Sequence, residues 1–285
     1  MWKSYGAAVQ GKNHERIGLP CQDAVYTLEQ KGVQVVALAD GAGSAAYAQE
    51  GAQCAVVRVA QVLCDRFDRL MTEPSRRVVH EMLLYPVQEA LNVTARSYEA
   101  PLREVACTLL AVAVRGDDYL VVHVGDGVIG CWKEGNLKVA SAPERGEFAN
   151  TTTFVTSSDA LVKLQVLRGT QPKLDGFILM SDGCELSLLN HRDGALAPCV
   201  GDLFRRGELF APTPMEDYLK TLLWERIRGK TGDDCSLVLL CRCGDVRKKW
   251  DRMSQSERAR LLGVFTRNRN RRRRAIRRYT KMMLL

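Results

Sequence analysis

The sequence lacks any run that approaches the roughly 20 apolar residues of a transmembrane helix. Its first six residues contain no long apolar segment of the kind that signal peptides carry. We therefore expect a cytoplasmic protein with no transmembrane segment.

The sequence also lacks the residue patterns of zinc sites, disulfide scaffolds and nucleotide-binding loops. The closest cysteines, Cys241 and Cys243, have neither the two-residue gap nor the second pair of a structural zinc site. Most of the ten cysteines lie inside apolar runs, which is typical of free thiols in a reducing compartment. The histidines are scattered, and no Gly-x-x-x-x-Gly-Lys loop is present.

What is present is a globular composition with an uneven charge. The 285 residues are 46% hydrophobic and 26% charged, enough to bury a sizeable core. Residues 242–285 carry sixteen Lys or Arg against three acids, a net charge of +13, whereas residues 1–241 have a net charge of −5. We predict an acidic domain over 1–242 and a basic, helical C-terminal extension over 243–285.

Short apolar runs and longer helical patterns alternate along the chain. Apolar content and flanking turn residues predict strands over 33–40, 106–115, 119–125, 128–133, 136–140, 177–181 and 236–242. Helical periodicity predicts helices over 45–67, from Pro74 to about Tyr98, and over 215–228. Grouped strands with helices between them indicate an α+β fold, with helices packed on antiparallel sheets.

Acidic residues recur at the ends of these predicted strands. Three apolar runs end in Asp-Gly, at Asp40-Gly41, Asp126-Gly127 and Asp182-Gly183. The pair Asp233-Asp234 precedes the last strand, and Asp23 precedes another extended run. A single Asp-Gly is ordinarily a turn, because both residues favour turn conformations.

Several such strand ends meeting at one sheet edge would form a different kind of site. Four or five carboxylates in a small volume repel one another unless cations neutralise them. Oxygen ligands without clustered His or Cys select hard ions such as Mg²⁺, Ca²⁺ or Mn²⁺. A two-metal carboxylate centre suits the hydrolysis of phosphoesters by an activated water.

The motifs also resemble a known family. Five of them occur in order: Gln22-Asp23, Ala39-Asp40-Gly41-Ala42-Gly43-Ser44, Gly125-Asp126-Gly127, Ser181-Asp182-Gly183 and Asp233-Asp234-Cys235-Ser236. Over residues 1–242 this order resembles a divergent bacterial branch of the protein phosphatase 2C family. The resemblance implies a four-layer α/β/β/α sandwich of two antiparallel sheets flanked by helices. It also implies a metal-dependent serine/threonine protein phosphatase, a phosphoprotein substrate and a counterpart Ser/Thr kinase.

The resemblance assigns roles residue by residue. Asp40 would bridge two Mn²⁺ or Mg²⁺ ions, and the Gly41 carbonyl would ligate one of them. Asp182 and Asp233 would complete the ligands of the other ion, with Asp23 close behind. Asp126 matches a position that helps to hold a weaker third ion in some members.

The chain departs from the family pattern on the substrate side. Family members commonly have an Arg that holds the substrate phosphate at the position that Gly18 occupies here. Arg16 is therefore the candidate to replace that Arg. Ala42 stands where a His often follows the first Asp-Gly, so leaving-group protonation must come from water or a group such as His14. Leu186 replaces a further acid. These departures leave an alternative, a catalytically weak scaffold that binds phosphoproteins.

Two other features carry alternatives. Cys199 and Arg205, like Cys241 and Arg247, have the spacing of cysteine-dependent phosphatases, but Asp202 would repel a phosphate in the first loop. The basic extension, with four consecutive arginines at 271–274, is compatible with a solvated tail. It is also compatible with amphipathic helices that dock on the acidic body or on an acidic partner protein, and with nucleic-acid binding.

Overall fold

Two five-stranded antiparallel sheets face each other in the computed structural model, which describes residues 1–143, 152–190, 192–244 and 250–262. The first sheet has the order β1 (Trp2–Val9), β12 (Cys235–Arg242), β9 (Leu174–Met180), β6 (Val128–Lys133) and β7 (Asn136–Ser141). The second has the order β2 (Asp23–Gln30), β3 (Val33–Asp40), β4 (Leu109–Arg115), β5 (Asp118–Val124) and β8 (Gln165–Thr170). A small ribbon pairs β10 (Leu189–Asn190) with β11 (Ala195–Leu196).

Helices cover the outer face of each sheet. The long helices α2 (Ala48–Thr72) and α3 (Arg76–Ser97) pair with each other, and α2 packs on β2, β3 and β4. Helices α6 (Cys199–Leu209) and α7 (Pro212–Leu222) pack on the first sheet. The short helices are α1 (Lys12–Ile17), α4 (Ala160–Lys163), α5 (Glu185–Leu188) and α8 (Gln255–Leu261).

Strand β3 shows why the sequence forms layers. Val36 and Leu38 lie in the core between the sheets, whereas Val35 and Ala37 lie in the core under α2. Successive side chains of a strand point to opposite faces, so a strand buried on both faces has a continuous apolar run. The four-layer α/β/β/α sandwich expected from the resemblance is therefore confirmed.

The predicted elements agree with the structure best where they are buried. The strands predicted over 33–40 and 128–133 have these bounds in the structure. The helix predicted over 45–67 is α2, which begins at Ala48 and continues to Thr72. The helix predicted over 215–228 begins instead at Pro212, since proline is well suited to the first helical turn. It ends at Leu222, and the chain continues through a π-helical turn, Leu223–Ile227, and a 3₁₀ turn, Arg228–Lys230.

The described part of the C-terminal extension packs on the body. Trp250 and Leu261 are buried in the core that includes α6 and α7. A capping box formed by Ser254 and Glu257 starts α8. The guanidinium of Arg206 in α6 donates hydrogen bonds to the backbone carbonyls at the end of α8. The run of arginines at 271–274 lies outside the described residues.

Two findings bear on the expected compartment. None of the described helices is long and apolar enough to cross a membrane. All ten cysteines lie among the described residues and none forms a disulfide; six of them are buried: Cys64, Cys107, Cys184, Cys235, Cys241 and Cys243.

Candidate metal centre

The ends of strands from both sheets bring the predicted acidic residues to one edge of the sandwich. Asp23 begins β2 and pairs across the ladder with Asp40, the last residue of β3. Asp182 follows β9, and Asp233 precedes β12, which pairs with β9. The cleft at this edge has a volume of about 300 Å³. Four carboxylates line it: Asp40, Asp126, Asp182 and Asp233.

Gly41 and Gly183 permit the backbone around the cleft to approach closely. A Cβ on Gly183 would lie 1.9 Å from the carbonyl oxygen of Asp234. A Cβ on Gly41 would lie 2.7 Å from the carbonyl oxygen of Ala48, at the start of α2. Only glycine therefore fits beside Asp40 and Asp182 without moving the backbone.

Asp23 lies behind the cleft and does not line it. The side chain is 7% exposed, and the Ser181 hydroxyl donates to its Oδ2 over 2.9 Å. Asp23 thus lies next to Asp40 in the ladder but deeper in the sandwich.

The pKa values of these carboxyl groups are raised. Burial is the main cause at Asp23, and with the charge of Asp234 it raises the pKa to about 7. Burial, with the charges of Asp126 and Asp233, raises the pKa of Asp182 to about 6. Burial and the neighbouring carboxylates hold the pKa of Asp40 well above its usual range. The cluster carries its full negative charge only where cations compensate it.

The donor set fits a hard divalent metal ion. Oδ1 of Asp23 and Oδ1 of Asp182 are buried and have no hydrogen-bond partner among the described residues. Carboxylate oxygens are the ligands that Mg²⁺ and Mn²⁺ prefer. In the described ranges no three His, Cys, Asp or Glu side chains converge on a single point. Ions held here would therefore need the Gly41 carbonyl and water as additional ligands.

The cleft contains little positive charge to receive a phosphate. Apart from the four carboxylates, the described lining consists of small, apolar and neutral polar residues together with His14. None of the lining residues in the described part of the chain is Lys or Arg. A phosphate dianion would be repelled from this cleft unless metal ions reversed its charge.

Asp234 belongs to one of the sequence motifs, but no role was predicted for it from the sequence. It is 1% exposed, and it accepts hydrogen bonds from the backbone N–H groups of Gly11 and Gln22, each 2.6 Å long. Its Oδ2 also lies 3.0 Å from Nδ1 of His14. The two adjacent carboxylates have different neighbours: Asp233 lines the cleft, whereas Asp234 holds α1. The sequence signal for a role of Asp234 was its place in the acidic pair Asp233-Asp234, directly before a predicted strand.

The structure separates the two substrate-side candidates of α1. His14 lines the cleft, with its ring largely buried. Arg16 is exposed and is not among the lining residues. His14 and Arg16 are two positions apart, which places them about 200° apart around a helix of 3.6 residues per turn. Their side chains therefore cannot point in the same direction. The ion pair between Glu15 and the buried Arg228 holds α1 against the body.

Two threonines that the motifs do not include support the cleft. Thr108 Oγ1 accepts a hydrogen bond of 2.9 Å from the backbone N–H of Asp40. Thr152 Oγ1 donates over 2.6 Å to Oδ2 of Asp126. Both residues lie outside the Asp-Gly pattern, and only the three-dimensional pairing of segments brings them here.

The structure contradicts the cysteine-nucleophile alternative. Cys199 and Arg205 lie within helix α6, so the backbone between them forms no phosphate-binding loop. Arg205 instead pairs with Asp202 over 2.9 Å. Cys241 is buried in β12, and Arg247 lies outside the described residues.

Comparison with known proteins gives a family match and a relative of similar length. The profile of the family described as protein phosphatase 2C matches residues 10–223. Serine/threonine-protein phosphatase 3 of Escherichia coli (strain K12) is 27% identical over 248 residues, which covers 84% of this chain and 97% of that protein.

Solved structures show the same fold. A serine/threonine phosphatase of S. agalactiae has a TM-score of 0.57 at 15% identity, covering 85% of this chain and 99% of that one. PppA of Pseudomonas aeruginosa, described as a regulatory component of T6SS, has a TM-score of 0.55 at 18% identity, covering 84% and 97% of the two chains.

Proposed function

Since the chain belongs to the protein phosphatase 2C family, whose members are metal-dependent, we propose that it hydrolyses phosphoserine or phosphothreonine in proteins with Mn²⁺ or Mg²⁺. A regulatory Ser/Thr kinase would be its counterpart. The ten free cysteines support a reducing compartment, the cytoplasm, as the place of this reaction.

The observation that carries this proposal is the cleft of four carboxylates with no Lys or Arg in its described lining. An acidic cleft of this kind has no affinity for a phosphate dianion by itself. It suits phosphoester chemistry only when cations are held there. Asp40, Asp182, Asp233 and the Gly41 carbonyl would hold two ions, and Asp126, fixed by Thr152, would help to hold a weaker third. Such ions supply a water of lowered pKa and neutralise charge on the phosphoryl oxygens.

His14 is proposed as the group that protonates the leaving alkoxide. Asp234 accepts from Nδ1, which fixes the tautomer and leaves Nε2 as the ring nitrogen that can exchange a proton. The backbone hydrogen bonds from Gly11 and Gln22 to Asp234 hold this carboxylate in place. His14 would thus perform the role for which Ala42 has no suitable side chain.

The test is hydrolysis of an aryl phosphate and of a phosphothreonine peptide by the purified chain, with Mn²⁺, with Mg²⁺ and with chelator. We expect turnover that requires metal and is lost in Asp40→Asn. Asp65→Asn is the matched control, because Asp65 forms an exposed ion pair with Lys31 far from the cleft.

The opposite result has a definite meaning. Mn²⁺ binding without turnover on either substrate would favour the weakly catalytic scaffold. The comparisons give that alternative no support, and its motivation is confined to Gly18, Ala42 and Leu186.

A further inference from the structure

A second cavity lies on the outer side of the first sheet, where α5, α6 and α7 meet. Its volume is about 200 Å³. It shares no lining residue with the carboxylate cleft. Its lining combines apolar side chains with three cationic ones: Leu188, Leu203, Leu222 and Ile227 with Arg206, Arg226 and Lys230.

Arg206 is a buried cation that forms no ion pair with a carboxylate of the described residues, although the charge of nearby Asp202 acts on it. It is 9% exposed, and it lies over the ring of Tyr218, 4.2 Å from the centroid. Its two terminal nitrogens donate to the carbonyls of Arg260 and Leu261, whereas Nε has no partner among the described residues. Burial lowers the pKa of this guanidinium. Buried guanidinium groups are normally paired with an anion.

The carboxylate beside this cavity is engaged elsewhere. Asp202 lines the cavity, but its Oδ1 accepts from Arg205 and from Arg260, each over 2.9 Å. The described residues therefore supply no carboxylate that pairs with Arg206.

A second unpaired polar group borders the same cavity. The hydroxyl of Ser187 is buried and has no hydrogen-bond partner among the described residues. Like Nε of Arg206, it can donate a hydrogen bond. Two buried donors at one cavity that lack an acceptor among the described residues indicate a place for an acceptor on a ligand.

Two more cations lie at the rim. Arg226 and Lys230 are exposed, line the cavity and form no ion pair with other described residues. The π-helical turn Leu223–Ile227 presents Arg226, and such turns recur at functional sites. The described lining thus holds three cations and one carboxylate, Asp202, and this balance of charge favours an anion.

We propose that this cavity binds a small organic anion. Its charged head would accept from Nε of Arg206 and the hydroxyl of Ser187, with Arg226 and Lys230 at the rim. Its apolar part would lie against Leu203 and the neighbouring leucines. The volume is below the roughly 300–1,000 Å³ of sites for drug-sized ligands, so the ligand is smaller than these.

Binding would also stabilise the C-terminal helix. Arg206 connects the cavity to the carbonyls of Arg260 and Leu261, so an anion at Nε fixes the group that holds the end of α8. This site is independent of the phosphatase chemistry and does not require it.

Calorimetry with benzoate as the probe, in the presence of chelator, tests the proposal on the full chain. Benzamide has the same ring without the charge and serves as the matched ligand. We expect benzoate to bind and benzamide to bind at least about tenfold more weakly. The double variant Arg226→Ala/Lys230→Ala changes only exposed side chains, so it should fold and weaken benzoate binding by about tenfold or more. Lys220→Ala, an exposed α7 residue outside the lining, is the control.

Alkylation of Cys199 supplies a readout specific to this site. Cys199 is exposed and lines the cavity, so bound benzoate should slow its reaction with iodoacetamide severalfold in peptide mass spectrometry. Cys54, half-buried in α2, should react at an unchanged rate. Absence of benzoate binding, equal binding of benzamide, or unchanged binding in the double variant would overturn the proposal. The Asp40→Asn variant, which should lose turnover, should bind benzoate as tightly as the wild type.

Discussion

Asp23 connects the chemistry of the cleft to the stability of the fold. Its folded-state pKa of about 7 lies above the unfolded value of about 4. A raised pKa favours the folded state below the unfolded value, and that contribution is lost as pH rises through the folded value. The metal-free protein should therefore become less stable between pH 5 and pH 8. Asp182, with a pKa of about 6, acts in the same direction.

Asp23→Asn should remove part of this pH dependence. In chelator the Tm of the variant, relative to that of the wild type, should be several degrees higher at pH 8 than at pH 5, since about 1 kcal/mol moves the Tm of a domain this large by about 2–4 °C. Thermal unfolding at both pH values measures the difference. Asp65→Asn, an exposed position, should give a Tm difference that does not vary with pH. A constant difference for Asp23→Asn as well would contradict the assignment.

His14→Gln separates leaving-group protonation from substrate binding. An aryl phosphate leaves as a stabilised phenolate, so its turnover should change little. A phosphothreonine peptide leaves as a strongly basic alkoxide, so its kcat should fall by about 10²-fold or more. Lys12→Gln, an exposed α1 residue outside the cleft lining, is the control. Equal losses on both substrates would assign His14 to binding or folding instead.

At the scale of elements, the contact between Gly183 and the strand start at Asp234 aligns two of the proposed ligands. Gly183 lies in the 3₁₀ turn Asp182–Cys184, directly against the carbonyl of Asp234. Any side chain at Gly183 must push this turn away from the start of β12. Asp182 and Asp233 would then separate, although neither would be mutated.

Gly183→Ala should therefore weaken Mn²⁺ binding and turnover together. Overpacking of this kind costs about 1–3 kcal/mol, so the Tm should also fall. Gly229→Ala is the matched control, because its Cβ would meet nothing within 4 Å and its backbone φ is not positive. Calorimetry with Mn²⁺, on variants whose circular dichroism shows a folded state, measures the effect. Wild-type Mn²⁺ affinity in Gly183→Ala would refute it.

Burial explains which elements could be predicted from sequence. Strand β3 is apolar on both faces and was predicted at its observed bounds. Strand β8, Gln165–Thr170, lies at a sheet edge with partly exposed side chains, and its polar sequence carries no periodic signal. Helix α6 was not predicted, because three of its buried positions are Gly201, Gly207 and Arg206.

The candidate site shows the same limit. Three Asp-Gly motifs and the pair Asp233-Asp234 predicted the four carboxylates that line the cleft, because each lies at the end of a strand that is recognisable from its local sequence. Thr108 and Thr152, and the role of Asp234, could not be predicted in this way, because their contacts are with segments that are distant along the chain.

At the scale of the whole molecule, the C-terminal extension divides into two parts with different expected roles. Residues 250–262 contribute buried apolar side chains, among them Trp250 and Leu261, to the core under α6 and α7. Residues 263–285 carry nine Lys or Arg and no acid, so their removal changes the formal charge from +8 to −1. A truncation after Arg242 removes both the basic segment and these buried side chains, whereas one after Leu262 removes the basic segment and keeps them.

We expect the two truncations to behave differently. The chain ending at Leu262 should keep its Tm and its basal turnover, and it should elute from a heparin column at much lower salt than the full chain. The chain ending at Arg242 should lose stability as well, because each large apolar side chain buried in the fold contributes about 1.5–3 kcal/mol. Raised turnover in the chain ending at Leu262 would identify the basic segment as an inhibitor of the cleft. Unchanged heparin elution of this chain would show that the basic segment is not the polyanion-binding element.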